Sequence, residues 1–188
     1  MTADRTRVVM ITGCSTGIGR ALAEAFLEDG HRVVATARRP ESITDLEGER
    51  SLTLPLDVTD GESIETATAE ALKWAGRIDI LVNNAGYALV GPVSELDLDD
   101  LRRQFETNVV GVVAVTRAVV PQMAAQGGGC IVNIGSVSSL LATPFGGAYS
   151  ASKAALHLLS DALRPEVRPF GITVVVVRAG AVATEFPM

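Results

Sequence analysis

Three side chains in this sequence have the types and spacing needed to move a proton on and off an alcohol oxygen. Tyr149 and Lys153 lie four residues apart, and Ser136 precedes the tyrosine by thirteen positions. On a helix, residues i and i+4 share a face, so we expect the Lys153 ammonium to lie close to the Tyr149 phenol. A free tyrosine has a pKa of about 10, and a neighbouring cation favours the phenolate. A proton donor useful at neutral pH needs that pKa to fall by roughly three units, about 4 kcal/mol.

A glycine-rich segment near the start of the chain predicts a site for a phosphate group. Gly13, Gly17 and Gly19 lie between an apolar, strand-like run and a segment with apolar residues at helical spacing. Glycine at such a turn permits close approach of a phosphate and tight packing of helix on strand. The helix N-terminus adds free N–H groups and a positive dipole end. A purely structural turn is the alternative, and Ser15 and Thr16 would either cap the helix or contact phosphate.

The order of strand-like and helical segments predicts one α/β domain over residues 1–188. Short apolar runs alternate with helical patterns, as expected for strands that are buried on both faces of a parallel sheet. Right-handed crossovers place the carboxyl ends of such strands on one edge, where ligands bind. We therefore expect a Rossmann-type doubly wound parallel sheet in three α/β/α layers. The predicted strands are 8–11, 32–37, 52–58, 78–82, 130–135 and 172–177, and the predicted helices are 18–29, 62–75, 98–125 and 148–168.

Composition and charge narrow the class of partner. Of the 188 residues 47% are hydrophobic and 20% charged, with a net charge of −6, which is typical of a globular protein. The sequence has no basic stripe, so nucleic acid is not an expected partner, and no cluster with metal-ligand spacing, so no metal is expected. Cys14 and Cys130 do not make a disulfide framework; with no signal-peptide pattern, they predict a cytoplasmic protein. The apolar run 109–120 is too short to span a bilayer.

Taken together, the motifs resemble those of the short-chain dehydrogenase/reductase family. The resemblance covers the whole chain, and several motifs in the right order make it specific. The glycine spacing and the intact Asn-Asn-Ala-Gly segment are similar to the compact members of the family. The stretches 12–19 and 169–184 look most like the branch that holds 17β-hydroxysteroid and retinol dehydrogenases. The motifs are Thr12-Gly13-x-x-x-Gly17-x-Gly19, Asn83-Asn84-Ala85-Gly86, Asn108, Ser136 and Tyr149-x-x-x-Lys153.

The resemblance implies reversible hydride transfer between a nicotinamide cofactor and a carbonyl or secondary alcohol. Tyr149 would be the general acid/base, and Ser136 would hydrogen-bond the substrate oxygen. Lys153 would lower the pKa of the tyrosine and hold the nicotinamide ribose, while Asn108 would belong to a water-linked proton relay. The residues expected to contact the cofactor are Gly13, Ser15, Thr16, Gly17, Ile18, Gly19, Arg38, Asp57, Val58, Asn84, Ala85, Gly86, Tyr149, Lys153, Gly180, Val182 and Thr184.

The end of the second predicted strand favours NADP(H) over NAD(H). An acidic residue at that position binds the ribose 2′-hydroxyl of NAD, whereas arginine accommodates the 2′-phosphate of NADP. The sequence carries Arg38 and Arg39 there, with no acid before Glu41. Arg38 is the better candidate for the phosphate contact. Two solvated loop arginines are the alternative.

Several of these residues also have a structural interpretation. Asn108 could be a buried hydrogen-bonding asparagine, and Asp57 could cap the helix that follows it. Asn83 could brace neighbouring strands. Cys14 and His157 are expected to pack rather than to react.

Two features depart from the family pattern. Ala179-Gly180 stands where relatives usually have Pro-Gly, and the sequence ends at Met188. We therefore expect the domain to lack the family's C-terminal strand and substrate-covering helix, which leaves the sixth strand as an apolar sheet edge. The expected partners are a small apolar carbonyl or alcohol substrate and further copies of the chain, in a homodimer or homotetramer. A dinucleotide-binding module with little catalysis and a subunit that lends only a dimer surface are the remaining hypotheses.

Overall fold

Six short segments, most of them rich in β-branched residues, form one parallel sheet. The computed structural model describes residues 6–182. The sheet order is β3-β2-β1-β4-β5-β6, and each neighbouring pair is parallel. The order reverses between β1 and β4, which is the point where ligands bind in doubly wound sheets. The strands are β1 (Val8–Ile11), β2 (Arg32–Ala37), β3 (Ser51–Pro55), β4 (Ile80–Asn83), β5 (Gly129–Ser136) and β6 (Ile172–Ala179).

Among the described residues, five helices accompany this sheet. Four of them turn one side against the strands through the 3.6-residue spacing of their apolar positions, whereas Leu98–Phe105 packs on Gly147–Val167. Asp60 caps α2 by accepting from the Glu62 and Ser63 N–H groups, and Gly76 ends it with a φ of 77°. The helices are α1 (Gly17–Glu28), α2 (Gly61–Ala75), α3 (Leu98–Phe105), α4 (Gly111–Ala125) and α5 (Gly147–Val167).

The core lies on both faces of the sheet because successive strand residues point to opposite sides. Val9 and Ile11 of β1 pack with residues of α1, whereas Met10, between them, packs with residues of α2 and α4. All three are fully buried. Burial of each such side chain stabilises the fold by about 1.5–3 kcal/mol. The predicted doubly wound α/β architecture is confirmed.

Most predicted elements are confirmed to within a few residues, and the differences have local causes. β3 ends at Pro55 instead of continuing to position 58: the Leu56 N–H still donates to the Ala37 carbonyl oxygen, but the Asp57 N–H donates to Ser63 Oγ outside the sheet. The predicted helix 98–125 is continuous, but a π-helical turn, Glu106–Val110, joins α3 to α4. It also runs through Pro121.

The helical stretch Leu98–Ala125 is longer than the apolar run 109–120 that the sequence suggests. Its 28 residues have a mean hydropathy of 1.4 in the most apolar window, so by length and composition it could cross a membrane. The run 109–120 alone was expected to be too short. In the fold, Val115, Val119 and Met123 are fully buried against the sheet. The stretch is therefore a core helix.

β6 lies at the edge of the sheet. Within residues 6–182 its one strand neighbour is β5, and α5 packs on one of its faces. The other face exposes Val175 and Val177 by 40% and 42%.

Candidate active site

Five of the predicted site segments converge because each lies at the carboxyl end of a strand, at the same edge of the sheet. Gly13 follows β1, Arg38 follows β2 and Asp57 follows β3. Asn84 follows β4, and Ser136 is the last residue of β5. In a parallel sheet these ends lie side by side, so five segments that are distant in sequence meet at one rim.

The glycine segment forms a tight turn into α1. Gly13 and Gly17 have φ values of 74° and 61°, a region that favours glycine. A Cβ on Gly19 would lie 2.3 Å from both the Gly13 carbonyl oxygen and Asn84 Nδ2, so only glycine fits there. Thr16 is the N-cap of α1 but its side chain makes no capping hydrogen bond. Ser15 and Thr16 are both exposed.

This N-terminus has the properties of an anion site that fits a dinucleotide pyrophosphate. The first turn of α1 contains no acidic residue, and its N–H groups have no side-chain cap. Backbone donors together with the positive end of the helix dipole attract phosphate oxygens. Among the described residues, no group of His, Cys, Asp and Glu could hold a metal ion.

Asn84 ties the glycine turn to the end of β4. Its Nδ2 donates to the carbonyl oxygens of Thr12 and Gly13, each at 2.9 Å. The Thr12 hydroxyl accepts the N–H groups of Asn84 and Ala85, each at 3.0 Å. Thr12 was not among the predicted contact residues, although its position just after a strand could have suggested it. Asn83 braces the strands, as expected, by donating to Asn133 and Thr116.

Tyr149 and Lys153 lie on the same face of α5. The Lys153 Nζ is 5.8 Å from the centre of the Tyr149 ring, and it donates to the Ile134 carbonyl oxygen at 2.8 Å. Lys153 is 4% exposed. Burial lowers the pKa of the Lys153 ammonium from 10.5 to about 8 because the charged form loses its hydration. The expectation that these two side chains lie close together is confirmed.

Ser136 ends β5 and is 6% exposed. Its Oγ accepts the Ser138 N–H at 3.1 Å, which fixes the side chain at the start of a short helical turn, Val137–Ser139. The hydroxyl hydrogen is not used in that contact, so it remains available as a donor. Ser136 is thus an oriented hydroxyl at the rim.

Asn108 lies in the π-helical turn and is fully buried. Its Oδ1 accepts the Tyr87 N–H at 3.1 Å, and its Nδ2 donates to the Tyr87 carbonyl oxygen at 2.9 Å. The same Nδ2 donates to Ser152 Oγ at 3.1 Å. The buried hydrogen-bonding interpretation of this asparagine is therefore correct, and it leaves a further role open.

Arg38 and Asp57 occupy loops after β2 and β3. Arg38 is exposed, as a contact to a phosphate on a bound ligand requires. Asp57 does not cap α2; its Oδ1 accepts the Thr59 N–H and hydroxyl at 2.9 and 2.7 Å. The helix cap is Asp60 instead. Val58 is buried against Gly111.

The remaining predicted positions are at the end of β6 and on α5. Gly180 and Val182 are exposed, and Thr184 lies outside the described residues. His157 contacts Arg178 through its ring nitrogens and Asp161 at 3.4 Å, which is a packing role. Cys14 is fully buried, and burial raises the pKa of its thiol to about 12, so it is inert.

An apolar rim borders the site. Phe145 adopts a φ of 66°, and its carbonyl oxygen accepts the Gly91 N–H at 2.9 Å, which joins the loop before α5 to the loop after β4. The side chains of these two loops expose a wide apolar surface. Its members are Val90, Val93, Val137, Leu140, Leu141 and Phe145, each at least half exposed.

Two buried polar residues at the site were not predicted. Gln104 is fully buried and its Nε2 donates to the Tyr87 carbonyl oxygen at 3.2 Å. Ser152 is fully buried beside Asn108. In the sequence both fit an ordinary helix, and no local signal separates them from surface residues. Their contacts become visible only once α3 and α5 are packed together.

Comparison with known proteins gives a family match over nearly the whole chain. The family described as short chain dehydrogenase matches residues 7–188. Oxidoreductase BOA17 of Botryotinia fuckeliana is 40% identical over 185 residues, which cover 96% of this chain and 68% of that protein. The NADPH-dependent 1-acyldihydroxyacetone phosphate reductase of Schizosaccharomyces pombe is 40% identical over 184 residues, covering 97% and 62%. Dehydrogenase/reductase SDR family member 7B of Xenopus tropicalis is 37% identical over 193 residues, covering 96% and 62%.

Solved structures agree with this assignment. A short-chain dehydrogenase from Streptomyces avermitilis has a TM-score of 0.92 and 46% identity, covering 97% of this chain and 69% of that one. The 3-ketoacyl-(acyl-carrier-protein) reductase of Brucella melitensis, complexed with NADH, has a TM-score of 0.92 and 28% identity, covering 95% and 77%. Of these relatives, one is named as NADPH-dependent and another was solved in complex with NADH. This chain spans about two thirds of the length of its curated relatives, 68% and 62% for the first two above.

Proposed function

The chain belongs to the short-chain dehydrogenase family, and on that premise we propose that it is an NADP(H)-dependent oxidoreductase. The reaction is reversible hydride transfer between nicotinamide and a carbonyl or secondary alcohol, with Tyr149 as general acid/base. The observation that carries the proposal is the buried Lys153 ammonium, 5.8 Å from the Tyr149 ring centre. A buried cation beside a phenol favours the negative charge that forms when the phenol releases its proton.

Each residue of the site has one task in this reaction. The bound nicotinamide supplies or accepts the hydride. Tyr149 donates its proton to the carbonyl oxygen in reduction and takes it back in oxidation. Ser136 donates a hydrogen bond to the same oxygen and orients it. Lys153 stabilises the phenolate that remains on Tyr149, and Asn108 contributes to the proton path that restores it.

The carboxyl ends of the strands would hold the cofactor. The N–H groups at the start of α1 would bind the pyrophosphate, with Gly13, Ser15, Thr16 and Gly17 beneath it. Asn84, Ala85 and Gly86 would line the ribose, and Asp57 and Val58 the adenine. Gly180 and Val182 would lie beside the nicotinamide. Arg38, exposed at the end of β2, would contact the 2′-phosphate that distinguishes NADP from NAD.

The substrate we propose is a carbonyl or alcohol with an apolar body. The apolar rim defined above lies on two segments. One joins β5 to α5 and ends just before Tyr149, and the other follows β4. Exposed apolar side chains that are grouped on loops beside a site are typical of a ligand-binding face. An apolar substrate that covers the rim removes this surface from water and helps to exclude water from the reacting atoms.

Residues 1–188 would act as one domain in a homodimer or homotetramer, in the cytoplasm. Support for assembly comes from four apolar side chains exposed on α5 and at the start of α4. They are Val110, Val113, Leu158 and Leu159, exposed by 48%, 38%, 71% and 44%. Support for a reducing compartment comes from Cys14 and Cys130, both free thiols.

Replacement of Tyr149 by phenylalanine tests the catalytic part of the proposal. Tyr149→Phe should bind NADPH as the parent does, measured by enhancement of NADPH fluorescence, because the glycine turn is untouched. Its turnover of a ketone panel should fall by about 10²–10⁴-fold, the usual contribution of a general acid/base. Tyr87→Phe, the same change at the other tyrosine, is the matched control and should retain turnover within about threefold.

The results separate the proposal from its rivals. Near-parental turnover in Tyr149→Phe would remove the mechanism. NADPH binding by the parent with no oxidation across the panel would favour a cofactor-binding module without catalysis. Failure to bind any dinucleotide would favour a structural subunit.

A further inference from the structure

The Asn108 carboxamide forms a junction between three elements: its own π-helical turn, the segment after β4, and α5. It accepts the backbone N–H of Tyr87 at 3.1 Å and donates to the carbonyl oxygen of Tyr87 at 2.9 Å, and so fixes the segment that follows β4. Its third contact, from Nδ2 to Ser152 Oγ at 3.1 Å, reaches α5. The segment after β4 carries Gly86, and α5 carries Lys153, so the junction joins two walls of the proposed cofactor site.

Ser152 can serve this junction only as an acceptor. Its hydroxyl is fully buried and donates its single hydrogen to the Tyr149 carbonyl oxygen at 2.7 Å. The remaining lone pairs face Asn108, so the amide must present its NH₂ group. A flipped amide would place Oδ1 against the Tyr87 carbonyl oxygen and against Ser152 Oγ, and would lose all three hydrogen bonds.

We propose that Ser152 is a positioning residue for the reaction, because its hydroxyl fixes the orientation of the Asn108 carboxamide and with it the distance between α5 and the segment after β4. A Cβ on Gly86 would lie 3.0 Å from Asn108 Oδ1 and 3.7 Å from Lys153 Nζ, so these groups pack with little free space. The Asn108 carboxamide and the Lys153 ammonium thus border the same glycine, and Lys153 directly follows Ser152 on α5. The inference rests on the proposed function, since it assigns Ser152 a role in that reaction.

The chain contains a matched control on the same helix. Ser160 is 1% exposed, donates to the Leu156 carbonyl oxygen at 2.7 Å, and accepts from Asn133 Nδ2 at 2.8 Å. Ser160 thus makes the same pair of hydrogen bonds as Ser152, also with a buried asparagine, but it lies two turns further along α5. Loss of either hydroxyl leaves one buried amide hydrogen without an acceptor, so the two variants should lose similar stability.

The test compares Ser152→Ala, Ser160→Ala and Ser152→Thr with the parent chain. NMR of the side-chain amides should show altered shifts and faster hydrogen exchange for Asn108 in Ser152→Ala alone, and for Asn133 in Ser160→Ala alone.

In Ser152→Ala, kcat should fall about 10–100-fold, as expected when a reacting group is misplaced by a fraction of an ångström to an ångström. Its KM for the ketone should change by less than about threefold. Ser160→Ala should keep kcat within about twofold of the parent, and Ser152→Thr, which retains the hydroxyl, should recover most of kcat.

Each outcome of this test either supports or overturns the positioning role of Ser152. Equal kcat in Ser152→Ala and Ser160→Ala, in a parent chain that turns over, would overturn the positioning role and leave the proposed function intact. An unchanged Asn108 amide signal in Ser152→Ala would overturn it as well. A parent chain that binds NADPH but transfers no hydride would contradict the proposed function itself, and with it any role of Ser152 in that reaction.

Discussion

Burial of the Lys153 ammonium lowers the stability of the fold but places a positive charge at the proposed active site. An ammonium that is 4% exposed loses most of its hydration, and its hydrogen bond to the Ile134 carbonyl oxygen replaces only part of that loss. The result is a pKa lowered to about 8 by burial. A charge held under such conditions acts strongly on its neighbours because the surroundings screen it poorly.

The cost of this charge should appear as a pH dependence of stability. Burial places the pKa of Lys153 in the folded state at about 8, below its ordinary value of 10.5. The penalty is therefore fully present below pH 8 and is lost as the pH rises towards 10.5, since the folded state releases its proton first. In a Tyr149→Phe background, the free energy of unfolding of the chain with Lys153, relative to Lys153→Met, should rise by about 2–3 kcal/mol between pH 7 and 10. Parallel curves from urea denaturation would contradict the buried charge.

Arg38 should decide between the two dinucleotides. Arg38→Ala removes a guanidinium from the end of β2 and should weaken NADPH binding by about 10-fold while leaving NADH within about twofold. Arg39→Ala is the matched control, since it removes the same charge one residue later and should change neither affinity by more than about threefold. Fluorescence titration measures the six dissociation constants, for the parent and the two variants with each cofactor. Tighter binding of NADH than NADPH by the parent would reject the Arg38 argument.

The sequence was sufficient to predict site residues whose type and spacing indicate their chemistry. It was not sufficient to predict residues that act through a contact with a distant part of the chain. The pairing of Tyr149 with Lys153 follows from helical spacing alone. The contact from Asn108 to Ser152 joins residues 44 positions apart. No local pattern encodes such a contact, because it exists only after two helices pack.

At the scale of elements, the fold depends on a close contact between the start of α4 and the loop after β3. Gly111 opens α4, and a Cβ there would lie 2.7 Å from the Val58 carbonyl oxygen and 2.9 Å from Val58 Cγ2. The backbone oxygen cannot move away without moving the loop that holds Asp57. The absence of a side chain at Gly111 thus sets the position of the predicted adenine contact.

Gly111→Ala should therefore destabilise the fold by about 1–3 kcal/mol, the usual cost of overpacking, and weaken NADPH binding. Gly61→Ala is the control: it lies at the start of α2, where an added Cβ meets nothing within 4 Å. Its stability should stay the same or increase by up to about 1 kcal/mol. Thermal denaturation of both variants measures the difference. Equal melting temperatures would show that α4 can shift to admit a methyl group.

Helix and strand positions were predictable because periodicity and glycine stops are local signals. The π-helical turn at Glu106–Val110 was not predictable, since its apolar spacing reads as a continuous α-helix. The end of β3 was misplaced by three residues, although Pro55 was visible as a warning. Boundaries depend on which backbone groups find partners, and that is decided by neighbouring elements.

At the scale of the whole molecule, the parallel sheet explains why chemistry gathers at one rim. The alternation of strands and helices predicted this rim and the segments that meet there. It did not predict the side-chain contacts between them, such as the two hydrogen bonds from Asn84 to the turn after β1. Two large apolar surfaces also belong to this scale: the rim beside the site and the exposed faces of α4 and α5.

The exposed helix faces should mediate self-association. The parent chain should have a solution mass at least twice 19.6 kDa by light scattering. Leu158→Glu puts a carboxylate at a position that is 71% exposed on α5, and two copies of it would oppose each other across a two-fold axis. That variant should be monomeric, whereas Thr66→Glu on the exposed side of α2 should keep the parent mass. A monomeric parent, or two variants of equal mass, would contradict this interface.

The most direct test of the central claim follows the hydride itself. The parent chain is incubated with NADPH that carries deuterium on the transferred position of C4 and with an apolar ketone, and the alcohol product is analysed by mass spectrometry. The account predicts one deuterium on the carbinol carbon, and its loss when Tyr149 is replaced by phenylalanine. Bound NADPH with no labelled alcohol, or equal labelling in the two chains, would contradict the claim that Tyr149 drives hydride transfer at this site.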